Sequence, residues 1–222
     1  MMYFLDRTDA GKRLAGVLGS WRNLKDAIVL ALPRGGVPVG FEIAAALDLP
    51  LDILLVRKLG VPGRAELAMG AIAEGGIEVI NRDVVRQLGV SSEAIAAVAA
   101  RETMELERRI KAYRHNRRPP DLHGRPVILA DDGCATGANM RAAIEACRAR
   151  GACYVAVAVP VASFQANTLL RNLADEVVSL SVPEPFFGVG HFYIDFKQVG
   201  DEEVEALLSR AAMAGTHGLP GE

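Results

Sequence analysis

Asp131 and Asp132 stand side by side at the end of the apolar run Val127 to Ala130. The short residues Gly133, Cys134, Ala135, Thr136, Gly137 and Ala138 then lead to Asn139. Short side chains let successive backbone N–H groups converge, and a helix opening there adds partial positive charge, which together make a cradle for phosphate. Thr136 and Asn139 add side-chain hydrogen bonds. Two carboxylates beside such a cradle are acceptors suited to neighbouring sugar hydroxyls, and a ribose 5-phosphate holds a diol and a phosphate at that kind of separation. Taken alone, paired acids before a Gly-rich turn also fit a solvated loop or a helix cap.

Two further loops combine cations with glycine. In LPRGGVPVG (32–40), Arg34 with Gly35 and Gly36 offers a fixed guanidinium and exposed amides, a suitable clamp for pyrophosphate, and Pro38 favours a helix start. In VRKLGVPGRAELAMG (56–70), Arg57 and Lys58, with Arg64 beyond them, put three cations after a strand. A Gly-rich turn feeding a helix and a pair of solvated cations are the plainer readings of these two segments. Rival nucleotide signatures fail. The spacing Gly35 to Gly40 continues with Phe41-Glu42, without the Walker lysine, and the strand that would need a ribose-binding acid for a dinucleotide ends in Arg57-Lys58.

Among 1 Trp, 4 Tyr and 7 Phe, five aromatic residues crowd between positions 186 and 196: Phe186, Phe187, Phe192, Tyr193 and Phe196. They suit either a stacking surface or an apolar seal on a sheet edge. His191 reads as a local hydrogen-bonding residue.

The bulk properties narrow the setting. In 222 residues, 25 Lys and Arg face 27 acids for a net charge of -2, so no global basic field holds a nucleic acid, and only residues 108–118 are locally basic. No apolar run approaches the roughly 20 residues that span a bilayer, and MMYFLDRTDAGKR lacks the order of a secretory signal. A cytoplasmic protein without membrane partners is expected. The 3 cysteines form no CxxC pair, against a disulfide framework or structural zinc.

The elements that must position these loops read as an α/β fold. Leu14, Val17, Leu18 and Trp21 mark a helix over 8–22; apolar runs at 27–32, 51–56, 126–131, 153–160 and 176–182 read as about five buried parallel strands. Helices are expected over 37–47, 137–150 and 163–173. Alternation of this kind covers the sheet on both faces and puts ligands beyond the carboxyl ends of the strands. Residues 60–125 break the pattern as a flap or insertion within one domain: a hairpin turning at Gly75-Gly76, a short helix, and a long helix from Ser92 to about Tyr113 with Ile95, Ala99, Leu106, Ile110 and Tyr113 on one face. Residues 115–126 read as the connector back to the sheet.

VILADDGCATGAN resembles the phosphoribosyl pyrophosphate motif of type I phosphoribosyltransferases, and the two cationic loops are similar to that family's pyrophosphate and catalytic loops. The resemblance implies the type I fold across residues 1–222, with a hood at 183–200. It implies that Asp131 and Asp132 take the ribose hydroxyls and meet Mg²⁺ mainly through ribose or water, that Cys134 to Asn139 take the 5-phosphate, and that Arg34, Gly35 and Gly36 hold pyrophosphate. Arg57 and Lys58 would be catalytic, and Phe186 or Phe187 with Asp195 would contact a purine-like base. It further implies transfer of the phosphoribosyl group to a nitrogen nucleophile, and a homodimer. Asn139 stands where the family often has Thr, and Ala135 stands where hypoxanthine-guanine members carry an acid-base Asp. The alternative is a regulator that keeps the fold and binds phosphoribosyl pyrophosphate or a nucleotide without transfer; a nucleotide-sugar hydrolase would need a water-positioning base that the sequence does not show.

Overall fold

A computed structural model describes residues 2–22, 24–114 and 118–215. In chain order it begins with α1 (Arg7–Val17), β1 (Ile28–Ala31), α2 (Gly36–Leu47) and β2 (Leu51–Ile53). Next come β3 (Val56–Val61), β4 (Arg64–Ala73), β5 (Ile77–Ile80), α3 (Arg82–Leu88) and α4 (Ser92–Arg114). The chain then runs through β6 (Pro126–Ala130), α5 (Ala138–Ala149), β7 (Tyr154–Val161), α6 (Phe164–Arg171), β8 (Glu176–Ser181) and α7 (Asp201–Gly215).

Five strands form one parallel sheet in the order β2-β1-β6-β7-β8. The central strands β1, β6 and β7 are continuously apolar because they are covered on both faces. The edge strands β2 and β8 carry Asp52 and Ser179 and are less buried. With the two-residue period of a strand, Ile28, Leu30, Val127, Leu129, Val155 and Val157 pack against Met140, Ile144 and Leu170 of α5 and α6. The intervening Val29, Ile128, Ala156 and Ala158 pack against Leu14, Ile43 and Leu47 of α1 and α2. The first helix is shorter than its periodicity suggests. Asp6 caps its start by accepting from the Asp9 N–H (2.8 Å), but it ends at Val17, and Trp21 reaches the same core from a separate 3-10 turn over Gly19–Trp21.

A second sheet, antiparallel, runs β3-β4-β5. The Gly75-Gly76 turn is where the sequence places it. The segment from Val56 to Gly70, however, is a β-hairpin rather than a loop: Arg57 pairs with Ile72 and Lys58 with Ala71. The departure from the large sheet therefore begins at Val56. α4 lays Val98, Leu106 and Tyr113 onto this sheet, and α7, which was not foreseen, adds Val204 and Leu208 to the same core. Arg114 ties the assembly together. Its Nε donates to Glu74 (2.6 Å), its Nη1 to both Asp52 oxygens (2.9 Å each) and its Nη2 to the Ile53 carbonyl (2.8 Å), linking the end of α4 to both sheets. His115, Asn116 and Arg117 of the basic connector lie outside the described residues. No helix among the described residues is long and apolar enough to cross a membrane.

Candidate functional site

A parallel sheet brings the ends of its strands to one edge, and there the chain leaves a cleft of about 770 Å³. Leu32 and Pro33 after β1, Leu54 and Leu55 after β2, and Asp131 after β6 form its floor; Thr136, Ala138 and Asn139 form one wall. The facing wall comes from the small sheet and α4, with Arg57, Lys58 and the Val61–Gly63 turn beside Val98, Arg101, Glu102 and Arg109. Arg64 opens β4 next to that turn.

The acidic end of β6 is tightly framed. Gly36 has no room for a side chain, since a Cβ there would sit 2.6 Å from the Ala130 carbonyl oxygen, and at Gly35 it would sit 2.0 Å from Asp132 Oδ2. The glycine loop thus lies directly on the two acids, and the Pro33–Arg34 peptide within it is cis. The Asp132 N–H donates to Asp131 Oδ1 (2.9 Å), Arg7 Nε donates to Asp132 Oδ2 (2.8 Å), and the Tyr193 hydroxyl donates to the Asp132 carbonyl (2.6 Å). Burial, and behind it the charge of Asp132, pushes the Asp131 carboxyl well above the usual carboxylate range. Burial raises Asp132 as well, with Arg7 opposing it. Of the two acids, Asp131 faces the cleft while Asp132 is engaged by Arg7.

After the acids, Gly133 lies against Val189, and Cys134 is clamped: its N–H donates to the Val161 carbonyl (2.8 Å) and its carbonyl accepts from the Ser163 N–H (2.9 Å). The Cys134 amide is therefore spent on β7 rather than offered to a phosphate, and burial pushes its thiol up to about 12. Ala135 accepts from the Ser163 hydroxyl (2.7 Å). Gly137, in the left-handed region at φ 79°, turns the chain into α5, whose first residues Ala138 and Asn139 line the cleft; the Ala138 N–H donates to Thr136 Oγ1 at 3.4 Å.

The phosphoribosyl transferase domain model matches residues 7–196. The chain belongs to the phosphoribosyl transferase family. Two Mycobacterium tuberculosis proteins, from strains CDC 1551 and H37Rv, carry the provisional name phosphoribosyl transferase; each is 47% identical over 211 residues, covering 95% of this chain and 47% of its own length. The chain thus spans about half the length of the curated relatives it matches. The crystal structure of TT1426 from Thermus thermophilus superposes with a TM-score of 0.87 at 45% identity, covering 94% of this chain and 99% of that one.

In this member of the family the predicted site residues lie in different places. Asp131, Thr136, Ala138, Asn139, Arg57 and Lys58 meet at the cleft. Arg34 is drawn aside to Asp201 at the start of α7 (3.6 Å), which also accepts the Tyr113 hydroxyl. Phe186, Phe187 and Asp195, expected to contact a base, are not among the residues that line the cleft. Phe186 stacks on buried Phe192 (5.6 Å between centroids), Phe187 is 68% exposed beside His191, and Asp195 pairs with Lys197 at the surface (2.7 Å). The cause is the N-terminal segment: Phe4 bridges to Tyr193 and joins Phe192 in a small core, while the Arg7 guanidinium covers Phe196 at 4.0 Å.

Arg7, Glu102 and Arg109 were not foreseen. Arg7 gave no local signal, since its partner is Asp132. Glu102 did: it lies four residues from each of Val98 and Leu106, a carboxylate within the apolar stripe of α4. Among the described residues no group of three or more His, Cys, Asp and Glu side chains forms a cage for a metal ion.

The close fit at the glycine loop makes a prediction. Gly35→Ala is expected to force Asp132 off Arg7, lowering stability by about 1–3 kcal/mol as overpacking does; an unchanged thermal midpoint would contradict the geometry described.

Proposed function

We propose that the cleft binds phosphoribosyl pyrophosphate and that the protein transfers its phosphoribosyl group to a small nitrogen nucleophile with release of pyrophosphate. The observation that carries this reading is the meeting, across one cleft, of Asp131 and the N-terminus of α5 with Arg57 and Lys58. Asp131 accepts from the ribose hydroxyls, the Ala138 and Asn139 amides with Thr136 take the 5-phosphate, and the cations of β3 face the pyrophosphate. Displacement at ribose C1 passes through a transition state of oxocarbenium character, and the chain contributes positioning and charge neutralisation. The donor set fits Mg²⁺ in the way that ion is usually held, by one or two carboxylates together with substrate phosphates, and Asp131 would be the carboxylate that meets it, through ribose or water. Bound there, Mg²⁺ would neutralise charge on the leaving pyrophosphate. Ala135 supplies no proton-transfer group.

Among the described residues no aromatic side chain lines the cleft, so the purine-like acceptor rests on the family resemblance. A second reading, a sensor that binds the donor without transfer, draws on the same fact and on the engagement of Arg34 and Arg57 by carboxylates. Incubation with phosphoribosyl pyrophosphate, Mg²⁺ and a panel of nitrogen nucleophiles, following pyrophosphate release, separates the two. Acceptor-dependent release supports the enzyme; donor binding without release by any acceptor supports the sensor.

The raised Asp131 pKa gives donor binding a pH dependence. The ionised carboxylate is the better acceptor for ribose hydroxyls, so affinity is expected to increase as pH rises from about 4, the ordinary aspartate value, through the raised one, with proton release on binding inside that window. Calorimetry in buffers of different ionisation enthalpy measures the released proton. Identical heats in all buffers across the window would refute the assignment.

A further inference from the structure

Arg57, the cation best placed to meet pyrophosphate, is already paired. Glu102 Oε2 accepts from both its Nε (2.9 Å) and its Nη2 (2.6 Å), and the other oxygen, Oε1, accepts from Arg101 Nε and Nη2 (3.2 Å each). The Glu102 side chain is only 12% exposed and lines the same cleft wall as the two guanidiniums. The arrangement recurs around the site: Arg34 is held by Asp201 and Asp132 by Arg7. A carboxylate at that point of α4 does not serve the apolar packing of its neighbours Val98 and Leu106, so its chemistry is directed at the arginines.

Resting on the donor-site reading above, we propose that Glu102 is a positioning residue that acts as an exchangeable counter-ion. It holds Arg57 at the cleft while the site is empty and yields it to the pyrophosphate of the incoming donor. A lone guanidinium in a cleft attracts any small anion. One whose Nε and Nη2 both donate to a single carboxylate oxygen is released to a ligand that offers those two donors charge and acceptors together, as a pyrophosphate does and a single distant phosphate does not. Glu102 thereby competes with pyrophosphate for Arg57, lowering affinity for the complete donor while leaving a ligand without pyrophosphate unaffected.

The competition fixes the sign of the test. Glu102→Gln keeps the shape and removes the charge, so affinity for phosphoribosyl pyrophosphate with Mg²⁺, measured by calorimetry, is expected to tighten about fivefold, the scale of one partly exposed ion pair. Ribose 5-phosphate, which carries no pyrophosphate, is expected to bind the variant and the wild type equally. In an Arg57→Gln background the gain is expected to vanish, as a double-mutant cycle requires of a direct pair. A structural role for Glu102 predicts weaker binding instead. Unchanged or weaker donor binding by Glu102→Gln overturns the exchange, as does equal tightening for ribose 5-phosphate, or a gain that survives without Arg57. In each of those cases the donor site stands if the wild type binds phosphoribosyl pyrophosphate; a wild type that does not bind it overturns both readings.

Discussion

Asp131→Asn is expected to weaken phosphoribosyl pyrophosphate binding at least about a hundredfold while raising the thermal midpoint at mildly alkaline pH. The loss follows from two charge-assisted hydrogen bonds to ribose hydroxyls at about 1.5–3 kcal/mol each. The gain in stability follows from burial. A carboxyl whose pKa is raised on folding contributes its share of stability in full below the unfolded value of about 3.9 and loses it as pH climbs through the folded value. Asn makes the uncharged state permanent, and its Oδ1 still accepts the Asp132 N–H. The variant should therefore outlast the wild type above the window, with the advantage fading toward acid. Calorimetric titration and thermal unfolding across pH check both halves, and adding Asp132→Asn should abolish binding altogether. Wild-type affinity in the double variant would remove the acids from the donor site.

Arg114→Met is the substitution expected to cost most stability, about 3–5 kcal/mol, because it strands Glu74, 2% exposed, without its cation. Combining it with Glu74→Leu removes the stranded charge and should recover much of the loss, leaving Asp52, 25% exposed, to solvent. Urea unfolding of the two variants decides. Equal stability of the single and double variants would show that the buried charge is not what makes the node necessary.

The large sheet was legible because strands buried on both faces write themselves as unbroken apolar runs, and the cradle after β6 was legible because its residues are contiguous. β3 was hidden by its own chemistry: Arg57, Lys58 and Gly60 look like loop residues, and only pairing with β4 makes them a strand. α7 carries a readable signature, with Asp201, Glu202 and Glu203 in its first turn and Val204 and Leu208 four apart, yet it lies beyond the motifs that attract notice. Aromatic density at 186–196 does not distinguish a hood from a core, and the small core found there depends on Phe4 and Arg7 arriving from the other end of the chain. Pairings such as Arg7 with Asp132 or Arg34 with Asp201 depend on tertiary geometry and have no sequence period to betray them.

The two sheets also imply an expected order of assembly. β3, β4 and β5 are consecutive, so their hairpins close short loops, whereas β6 must find β1 across the whole intervening small sheet and α4, with Val127 opposite Ile28. Closing the longer loop carries the larger entropic cost, and pairing at long sequence separation is slow. The small sheet is expected to form first and β6 to insert late, carrying Asp131 with it. A ligand held between Asp131 and Arg57 then meets its site only once both sheets are in place, so it stabilises the finished fold and no earlier species.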